Sequence, residues 1–251
     1  MTAIESWPPP QYHAQVASTN DLAMQLALRG APEGTAVQAG QQTAGRGRFG
    51  REWFSPPDAG LYLSVIARPD RAPRSWSLLT LAAGVAAAES IEVATGLRCD
   101  LKWPNDIVIG RPWRKLGGVL CESSERAVVI GIGLNLRAAA YPPDIADRVT
   151  AIEVELGREI DSAALSGALM RSLQAALAQL RAGAHDQICD AWRSRARSGL
   201  DGRAVRWGQE GSEHRGRARD IDADGALLVE AEGRIVRVIA GEVTWEPWTR
   251  E

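Results

Sequence analysis

The feature that most constrains the fold is a change of pattern at residues 198–199. Before this point, apolar side chains recur at helical spacing in long segments, most clearly at 161–180, and short apolar runs such as 61–66 lie between them. After it, only short strand-like runs remain, separated by turn residues such as those at 222–225. We therefore expect an α+β domain followed by a small, separate β-barrel or β-sandwich.

The composition is that of an ordinary globular protein. The chain has 251 residues, of which 45% are hydrophobic and 24% charged, so it can bury one large core and one small core. Its formal net charge of −2 argues against general affinity for nucleic acid, which normally accompanies a basic excess. Any anion-binding site must therefore be a local cluster of basic side chains.

Targeting and redox signals favour a cytoplasmic protein. The first residues lack a basic segment followed by an apolar one, so we expect no signal peptide. The most apolar run, 78–88, is too short to span a bilayer comfortably, and no membrane contact is predicted. Cys99, Cys121 and Cys189 are widely spaced and odd in number, which favours reduced thiols over disulfides or a metal site.

Residues 45–50, with the sequence GRGRFG, are the most informative segment for function. Glycines let the backbone approach a ligand closely, and Arg46, Arg48 and Arg51 are suited to hold a carboxylate or phosphate. Because these guanidinium groups repel one another, we expect a segment that is mobile when empty and ordered by an anion. The glycines match the GxGxxG pattern, but EWFSPP at 52–57 cannot readily open the helix that a dinucleotide site requires. A solvated basic loop and a nucleic-acid-binding arm remain open alternatives.

A second cluster of polar residues lies at a strand end. Lys102, Asn105 and Asp106 follow one short strand. A hairpin that turns near Gly110 would bring Lys115, on the next strand, to the same region. The alternative is a hairpin whose charges are merely solvated.

A third cluster is the glycine-containing strand at 131–136. Its glycines indicate close approach by a ligand, and Asn135 is a polar residue in apolar company. The alternative is a β-bulge with an ordinary hydrogen-bonded asparagine. The histidines, His13, His185 and His214, are scattered and lack the spacing of metal ligands.

Together these motifs resemble those of the biotin protein ligases. The matching segments keep the family's order between residues 12 and 246, and they are 18–20, 42–48, 53–56, 61–64, 102–106, 114–118, 131–136, 216–222 and 225–229. The resemblance implies an α+β fold of the class II synthetase-like type, with a central mixed β-sheet and flanking helices, plus a C-terminal SH3-like β-barrel. It divides the chain into a leader at 1–11, a catalytic domain that binds biotin and ATP at 12–198, and a barrel domain at 199–251.

The resemblance also implies a two-step reaction. Biotin and Mg-ATP first give biotinyl-5′-adenylate and pyrophosphate. A lysine of a biotin carboxyl carrier protein then attacks the adenylate, which gives an amide and AMP. Magnesium is expected through the ATP phosphates near Asp106, and its ligands are unassigned.

The family's motifs imply roles for individual side chains. Lys115 is the main catalytic residue, with Arg46 and Arg48 beside the biotin carboxylate and the adenylate phosphate. The residues implied to contact biotin are Ser18, Thr19, Asn20, Gln42, Arg46, Gly47, Arg48 and Lys115. Those implied to contact ATP or the adenylate are Gly45, Trp53, Lys102, Asn105, Asp106 and Asn135.

Both ends of the chain depart from some relatives. Only about 17 residues precede Ser18, too few for the helix-turn-helix domain of family members that are repressors, so we expect no DNA binding. Some relatives carry an arginine near the position of Glu246 that closes over the adenylate, which leaves the barrel's part in ATP binding open. A homodimer is possible. A lipoate-type ligase is the alternative enzyme, and a non-catalytic nucleic-acid-binding module is a less favoured one.

Overall fold

The computed structural model describes residues 6–68, 76–124, 127–209, 212–239 and 241–246. The strands of its first sheet are β1 (Gln11–His13), β2 (Ala36–Ala39), β3 (Gly60–Ala67), β4 (Asp100–Lys102), β5 (Asp106–Ile109), β6 (Arg114–Ser123) and β7 (Val128–Asn135). Those of its second sheet are β8 (Ala204–Gln209), β9 (Ser212–Ile221), β10 (Leu227–Ala231), β11 (Arg234–Val238) and β12 (Glu242–Trp245). The helices are α1 (Thr19–Leu28), α2 (Trp76–Thr95), α3 (Ile152–Leu156), α4 (Ser162–Arg181), α5 (His185–Arg195) and α6 (Arg197–Leu200).

The first sheet is mixed. Its seven strands lie in the order β1-β2-β3-β7-β6-β5-β4, and only β1 and β2 are parallel. Strands β3 and β7 are buried along almost their whole length, which explains why their sequences are apolar runs without alternation. The predicted α+β class, with a central mixed sheet and flanking helices, is confirmed.

Helix α2 is the central helix of the core. It is apolar on nearly every side, and Leu81, Ala86 and Ile91 are fully buried. The segment Ser77–Thr95 is long and apolar enough to cross a membrane, but 72% of it is buried inside the protein. The expectation that this run is too short to span a bilayer is therefore wrong. Burial in the core, rather than its length, explains its composition.

Helix α4 packs one apolar face against α2. The carboxylate of Asp161 caps its first turn by accepting hydrogen bonds from the backbone N–H groups of Ala163 and Ala164. Leu165 and Leu169 lie on the buried face, as the helical spacing of leucines predicts. This helix and α2 together cover one side of the mixed sheet with a continuous core.

The second sheet forms the C-terminal barrel domain. Its five strands are antiparallel in the order β11-β10-β9-β8-β12. The expected division at 198–199 falls inside α6, and the first barrel strand begins at Ala204. Of the expected leader and barrel domain, residues 1–5, 210–211, 240 and 247–251 lie outside the described residues.

Tryptophans join the barrel to the end of the mixed sheet. The indole of Trp103 donates a hydrogen bond of 3.0 Å to the carbonyl of Gly225, and the indole of Trp245 donates one of 3.3 Å to the carbonyl of Trp103. The rings of Trp245 and Trp113 meet edge to face, with centroids 5.6 Å apart. The barrel is therefore held next to the turn that carries Lys102 and Asp106.

Candidate active site

A cavity of about 200 Å³ lies where the start of α1, the loop after β2, the β4–β5 turn and the middle of β6 and β7 meet. Its lining includes these predicted site residues: Ser18, Thr19, Asn20, Gln42, Arg46, Gly47, Arg48, Trp53, Lys102, Asn105, Asp106 and Lys115. Among the described residues, Gly45 and Asn135 are predicted site residues that do not line it. Motifs that are far apart in sequence thus share one concave surface.

One end of the cavity is a network of buried polar groups. The backbone N–H and the hydroxyl of Thr19 both donate to Oε1 of Gln42, over 2.8 and 3.0 Å. The hydroxyl of Ser64 donates to Oδ1 of Asn20 over 2.6 Å, and the amide of Asn20 donates to Glu122 over 2.6 Å. These hydrogen bonds fix the amide orientations before any ligand arrives, so the end is a rigid polar surface.

Arg46 lies beside this polar end and is paired with carboxylates of the chain itself. Its guanidinium makes two hydrogen bonds to Asp21, of 2.5 and 2.7 Å, and lies 3.3 Å from Glu122. The hydrogen bond from Arg46 lowers the pKa of Asp21 below its usual range. The expectation that the loop arginines need an external anion does not hold for Arg46, because Asp21 and Glu122 already neutralise it.

The glycine–arginine loop is a closed hairpin. The N–H of Trp53 donates to Gly45 over 2.9 Å, and the N–H of Gly47 donates to Arg51 over 2.7 Å. A side chain at Gly45 would lie 2.6 Å from the carbonyl oxygen of Trp53, so the turn requires glycine there. Arg48 reaches the barrel, where it donates over 3.4 Å to the carbonyl of Gly241.

The cationic centre of the cavity consists of two lysines and one carboxylate. The ammonium of Lys115 lies 2.5 Å from Oδ1 of Asp106, and that of Lys102 lies 3.5 Å from Oδ2. Burial opposes ionisation of Asp106, but the two ammonium groups outweigh it and hold the pKa of Asp106 below its ordinary value. Burial lowers the pKa of Lys102, which Asp106 partly restores. The centre therefore carries a net positive charge.

Glycines of β7 make room for side chains of the site. A Cβ at Gly133 would lie 2.5 Å from the indole of Trp53, and one at Gly131 would lie 2.2 Å from Oδ1 of Asn20. Gly131 and Gly133 also line the cavity, so the interpretation that a ligand approaches this strand stays a prediction. The Trp53 ring also lies under the Lys115 ammonium, 5.2 Å from it.

Trp53 and Asn135 differ in what their polar atoms contact. The indole nitrogen of Trp53 is buried and has no hydrogen-bond acceptor among the described residues. The amide of Asn135 donates to the carbonyls of Lys115 and Thr150, over 3.2 and 3.0 Å. Asn135 therefore fixes the backbone that carries Lys115 and does not reach into the cavity.

The sequence predicts magnesium near Asp106, bound through the ATP phosphates, and this stays a prediction. Across the described part of the chain, no group of three or more His, Cys, Asp or Glu side chains is suited to hold a metal. Both oxygens of Asp106 face ammonium groups. Mg²⁺ is commonly bound through substrate phosphates and few protein ligands, and the site matches that arrangement.

Comparison with known proteins matches both domains. The biotin/lipoate A/B protein ligase family matches residues 12–136, and the biotin protein ligase C terminal domain matches residues 202–244. The biotin–[acetyl-CoA-carboxylase] ligase of Mycobacterium tuberculosis is 37% identical over 237 residues, which are 92% of this chain and 86% of that protein. The chain belongs to the biotin protein ligase family.

Other members of the biotin protein ligase family agree with this assignment. The bifunctional ligase/repressor BirA of Bacillus subtilis is 34% identical over 239 residues, 92% of this chain and 72% of that protein. The Aquifex aeolicus biotin protein ligase in complex with biotin and ATP superposes with a TM-score of 0.84 at 27% identity, covering 96% of this chain and 100% of that one. The resemblance and the predicted fold, including the SH3-like barrel, are confirmed.

Three residues of this ligase site were not predicted from the sequence. Asp21 and Glu122 hold Arg46, and Trp103 anchors the barrel beside Lys102. Asp21 lies in the first turn of α1, where an acidic residue is ordinary. Glu122 lies near the end of β6 and has no motif around it. Only the pairing of β6 with its neighbours brings it to the loop.

Proposed function

We propose that this protein is a biotin–protein ligase that forms biotinyl-5′-AMP from biotin and ATP. It then transfers biotin to a lysine of the carrier domain of a biotin-dependent carboxylase. The observation that carries the proposal is one cavity that joins a rigid polar end to a cationic centre, at Thr19 and Lys115 respectively. Such a cavity matches a reactant that has a polar ring at one end and a carboxylate at the other.

The polar end is proposed to hold the ureido ring of biotin. A cyclic urea presents two N–H donors and one carbonyl acceptor, so it needs acceptors and donors that are already oriented. Ser18, Thr19, Asn20 and Gln42 supply hydroxyl and amide groups of both kinds. The carboxylate of biotin then points to Gly47 and Arg48, towards the lysines.

The cationic centre is proposed to promote adenylation. The biotin carboxylate attacks the α-phosphorus of ATP, and the bond to pyrophosphate breaks. Two anions must meet for this step, and the positive charges of Lys115, Lys102 and Arg48 reduce their repulsion. Magnesium, when bound with ATP, neutralises the phosphates. Positioning of the reactants supplies a further part of the rate enhancement, about 7–11 kcal/mol in well-oriented systems.

The same groups serve the second step. The amine of the acceptor lysine attacks the carbonyl carbon of the adenylate, the C–N bond forms, and AMP leaves. Lys115 is placed to neutralise the phosphate of the leaving AMP. Trp53 is proposed to cover the adenylate, since it lines the cavity and its ring lies beside the Lys115 ammonium.

The alternatives are weaker on the contacts observed. Lipoate has no ureido group, so it gives the oriented polar end at Thr19 and Gln42 nothing to recognise. A nucleic-acid-binding arm needs free cations, but Arg46 is neutralised by Asp21 and Glu122.

The chain's three free cysteines fit a protein that works in the cytoplasm. DNA binding is not expected from the net charge of −2.

The test combines native mass spectrometry with pyrophosphate release. Incubation with biotin and Mg-ATP is expected to give a bound biotinyl-adenylate, and lipoate is expected to give none. Lys115→Ala is expected to slow biotin-dependent pyrophosphate release by about 100-fold or more, the usual effect of removing one charge-stabilising donor. Arg114→Ala is the matched control, because Arg114 pairs with Glu155 outside the cavity. Lipoate-dependent rather than biotin-dependent release would overturn the proposal.

A further inference from the structure

The distribution of lysine in this chain is unusual. The sequence has 29 lysines and arginines, of which Lys102 and Lys115 are the two lysines and the rest are arginines. Both lysines line the cavity. Guanidinium groups remain protonated in proteins, so arginine does not act as an amine nucleophile. Outside the cavity, the chain therefore has no lysine amine to offer to an acylating agent.

The two cavity lysines are both held by one carboxylate. Asp106 accepts Lys115 on one oxygen over 2.5 Å and Lys102 on the other over 3.5 Å. All three side chains are more than two-thirds shielded from solvent. An ion pair with a carboxylate favours the ammonium form, which has no lone pair and does not attack a carbonyl carbon.

The groups around Lys102 oppose that protonation. Burial lowers the pKa of Lys102, and the charges of Lys115 and Arg203 act in the same direction, while Asp106 raises it. The ring of Trp113 lies 5.9 Å from the Lys102 ammonium and favours the cation. Burial alone would favour the uncharged amine of Lys102, and Asp106 is the carboxylate that opposes this effect.

We propose that this arrangement directs acyl transfer to a partner: Asp106 keeps both cavity amines unreactive, and the remaining surface contains no lysine that competes with the acceptor. The inference rests on the proposed function, because it presupposes biotinyl-5′-AMP in the cavity. The suppressed reaction is self-acylation. There, a lysine nitrogen forms a C–N bond with the biotinyl carbonyl, the C–O bond to phosphate breaks, AMP leaves with the electron pair, and the amine proton passes to water.

The first experiment places lysines on the surface. The wild type, Arg51→Lys and Arg171→Lys are incubated with biotin and Mg-ATP, and biotin is located by peptide mass spectrometry. Arg51 is exposed at the cavity, whereas Arg171 is exposed on α4, which contributes no described residue to the lining. We expect label at position 51 at least about tenfold above that at 171, because a tethered amine reaches an effective concentration of order millimolar. The wild type should carry no label on Lys102 or Lys115.

Two results of this experiment would overturn the proposal. One is label on Lys102 or Lys115 of the wild type. The other is that the lysines introduced at positions 51 and 171 carry no label, or equal amounts of it, in a reaction in which added free lysine is biotinylated. Arg51→Lys keeps the positive charge of the loop, so loss of charge does not explain a negative result.

The second experiment tests Asp106 directly. Asp106→Asn and Asp106→Glu are given preformed biotinyl-5′-AMP, so that a defect in adenylation does not matter, and native mass spectrometry verifies that it binds. We expect label on Lys102 or Lys115 in the asparagine variant and none in the glutamate variant, which keeps a carboxylate. Bound adenylate without label in Asp106→Asn would disprove the role of Asp106. A failure of the proposed function itself would be detected by a separate measurement, because the wild type would then show no biotin-dependent release of pyrophosphate.

Discussion

At the scale of single residues, the site is governed by which charges are already paired. Arg46 has two carboxylate partners, whereas Lys102 and Lys115 share one. The polar end therefore carries no excess positive charge before substrate binds, and the excess positive charge lies at the lysines. A carboxylate that enters the cavity is attracted to the centre where the phosphate chemistry is proposed to occur.

The pair between Asp21 and Arg46 predicts the stability of the loop. Asp21→Asn removes the negative charge and replaces one of the two acceptor oxygens of Arg46 with an amide NH2, so the loop should open more often. Tryptic cleavage after Arg48 in the ligand-free protein is expected to accelerate about two- to fivefold, since a partly exposed pair contributes up to about 1 kcal/mol. Asp147→Asn, at an exposed position, is the control. Equal cleavage rates would contradict the prediction.

The same pair has a defined pH dependence. Its hydrogen bond lowers the pKa of Asp21, so its stabilising contribution is complete above the ordinary carboxyl pKa. It is lost as the pH falls through the lowered value. The loop of the wild type and that of Asp21→Asn should therefore differ in hydrogen exchange at neutral pH and converge in acid. A difference that did not shrink as the pH fell below the ordinary carboxyl pKa would argue against this origin.

At the scale of elements, strand β7 shapes the cavity because two of its residues are glycines, which have no side chain. Gly131 and Gly133 leave space on the sheet for Asn20 and Trp53. The site is thus built by laying α1 and the loop directly onto a flat part of the sheet. Asn135 ends the same strand and fixes the backbone of Lys115.

Gly133→Ala tests this close approach. A Cβ at Gly133 would lie 2.5–2.8 Å from the Trp53 ring, so the indole must shift. We expect faster loss of bound biotinyl-adenylate and a changed tryptophan fluorescence spectrum. Gly84→Ala, inside α2, has its nearest neighbour at 3.7 Å and should raise stability by up to about 1 kcal/mol through helix propensity. Adenylate retention unchanged in Gly133→Ala would refute the packing argument.

The sequence predicts the elements better than the contacts between them. The leucine spacing of α4 and the N-cap at Asp161 are local signals, and both are observed. The partners of Arg46 depend on the register between β6 and its neighbours, which local patterns do not encode. The glycines of β7 predict a close approach, and the structure places Asn20 and Trp53 against them, which no local pattern indicates.

At the scale of the whole molecule, the barrel and the mixed sheet share one aromatic contact region. Trp245 of β12 meets Trp113 edge to face, and Trp113 lies near both the ammonium of Lys102 and the guanidinium of Arg203, which is 4.1 Å from its ring. The position of Lys102 therefore depends on the docked barrel. This gives the second domain a physical connection to the side of the cavity where we propose that the nucleotide binds.

Trp245→Leu tests the connection between the domains. Loss of an aromatic pair costs about 0.5–1.5 kcal/mol, so we expect the KM for ATP to rise about two- to tenfold with biotin affinity unchanged. Trp207→Leu is the control, because Trp207 lies in the same barrel but packs beside His214. A parallel loss of ATP and biotin binding would indicate general unfolding and contradict the specific role.

The ion triad of Asp106 with Lys102 and Lys115 also has a practical meaning. Amine-directed cross-linkers and labelling esters find no lysine on the outside of this chain, because both of its lysines are in the cavity. Apart from a terminal amine, any such reagent that couples to the protein reports on the cavity alone. Lysine acylation therefore reports, without mutagenesis, on access to that cavity and on the pairing of its two amines with Asp106.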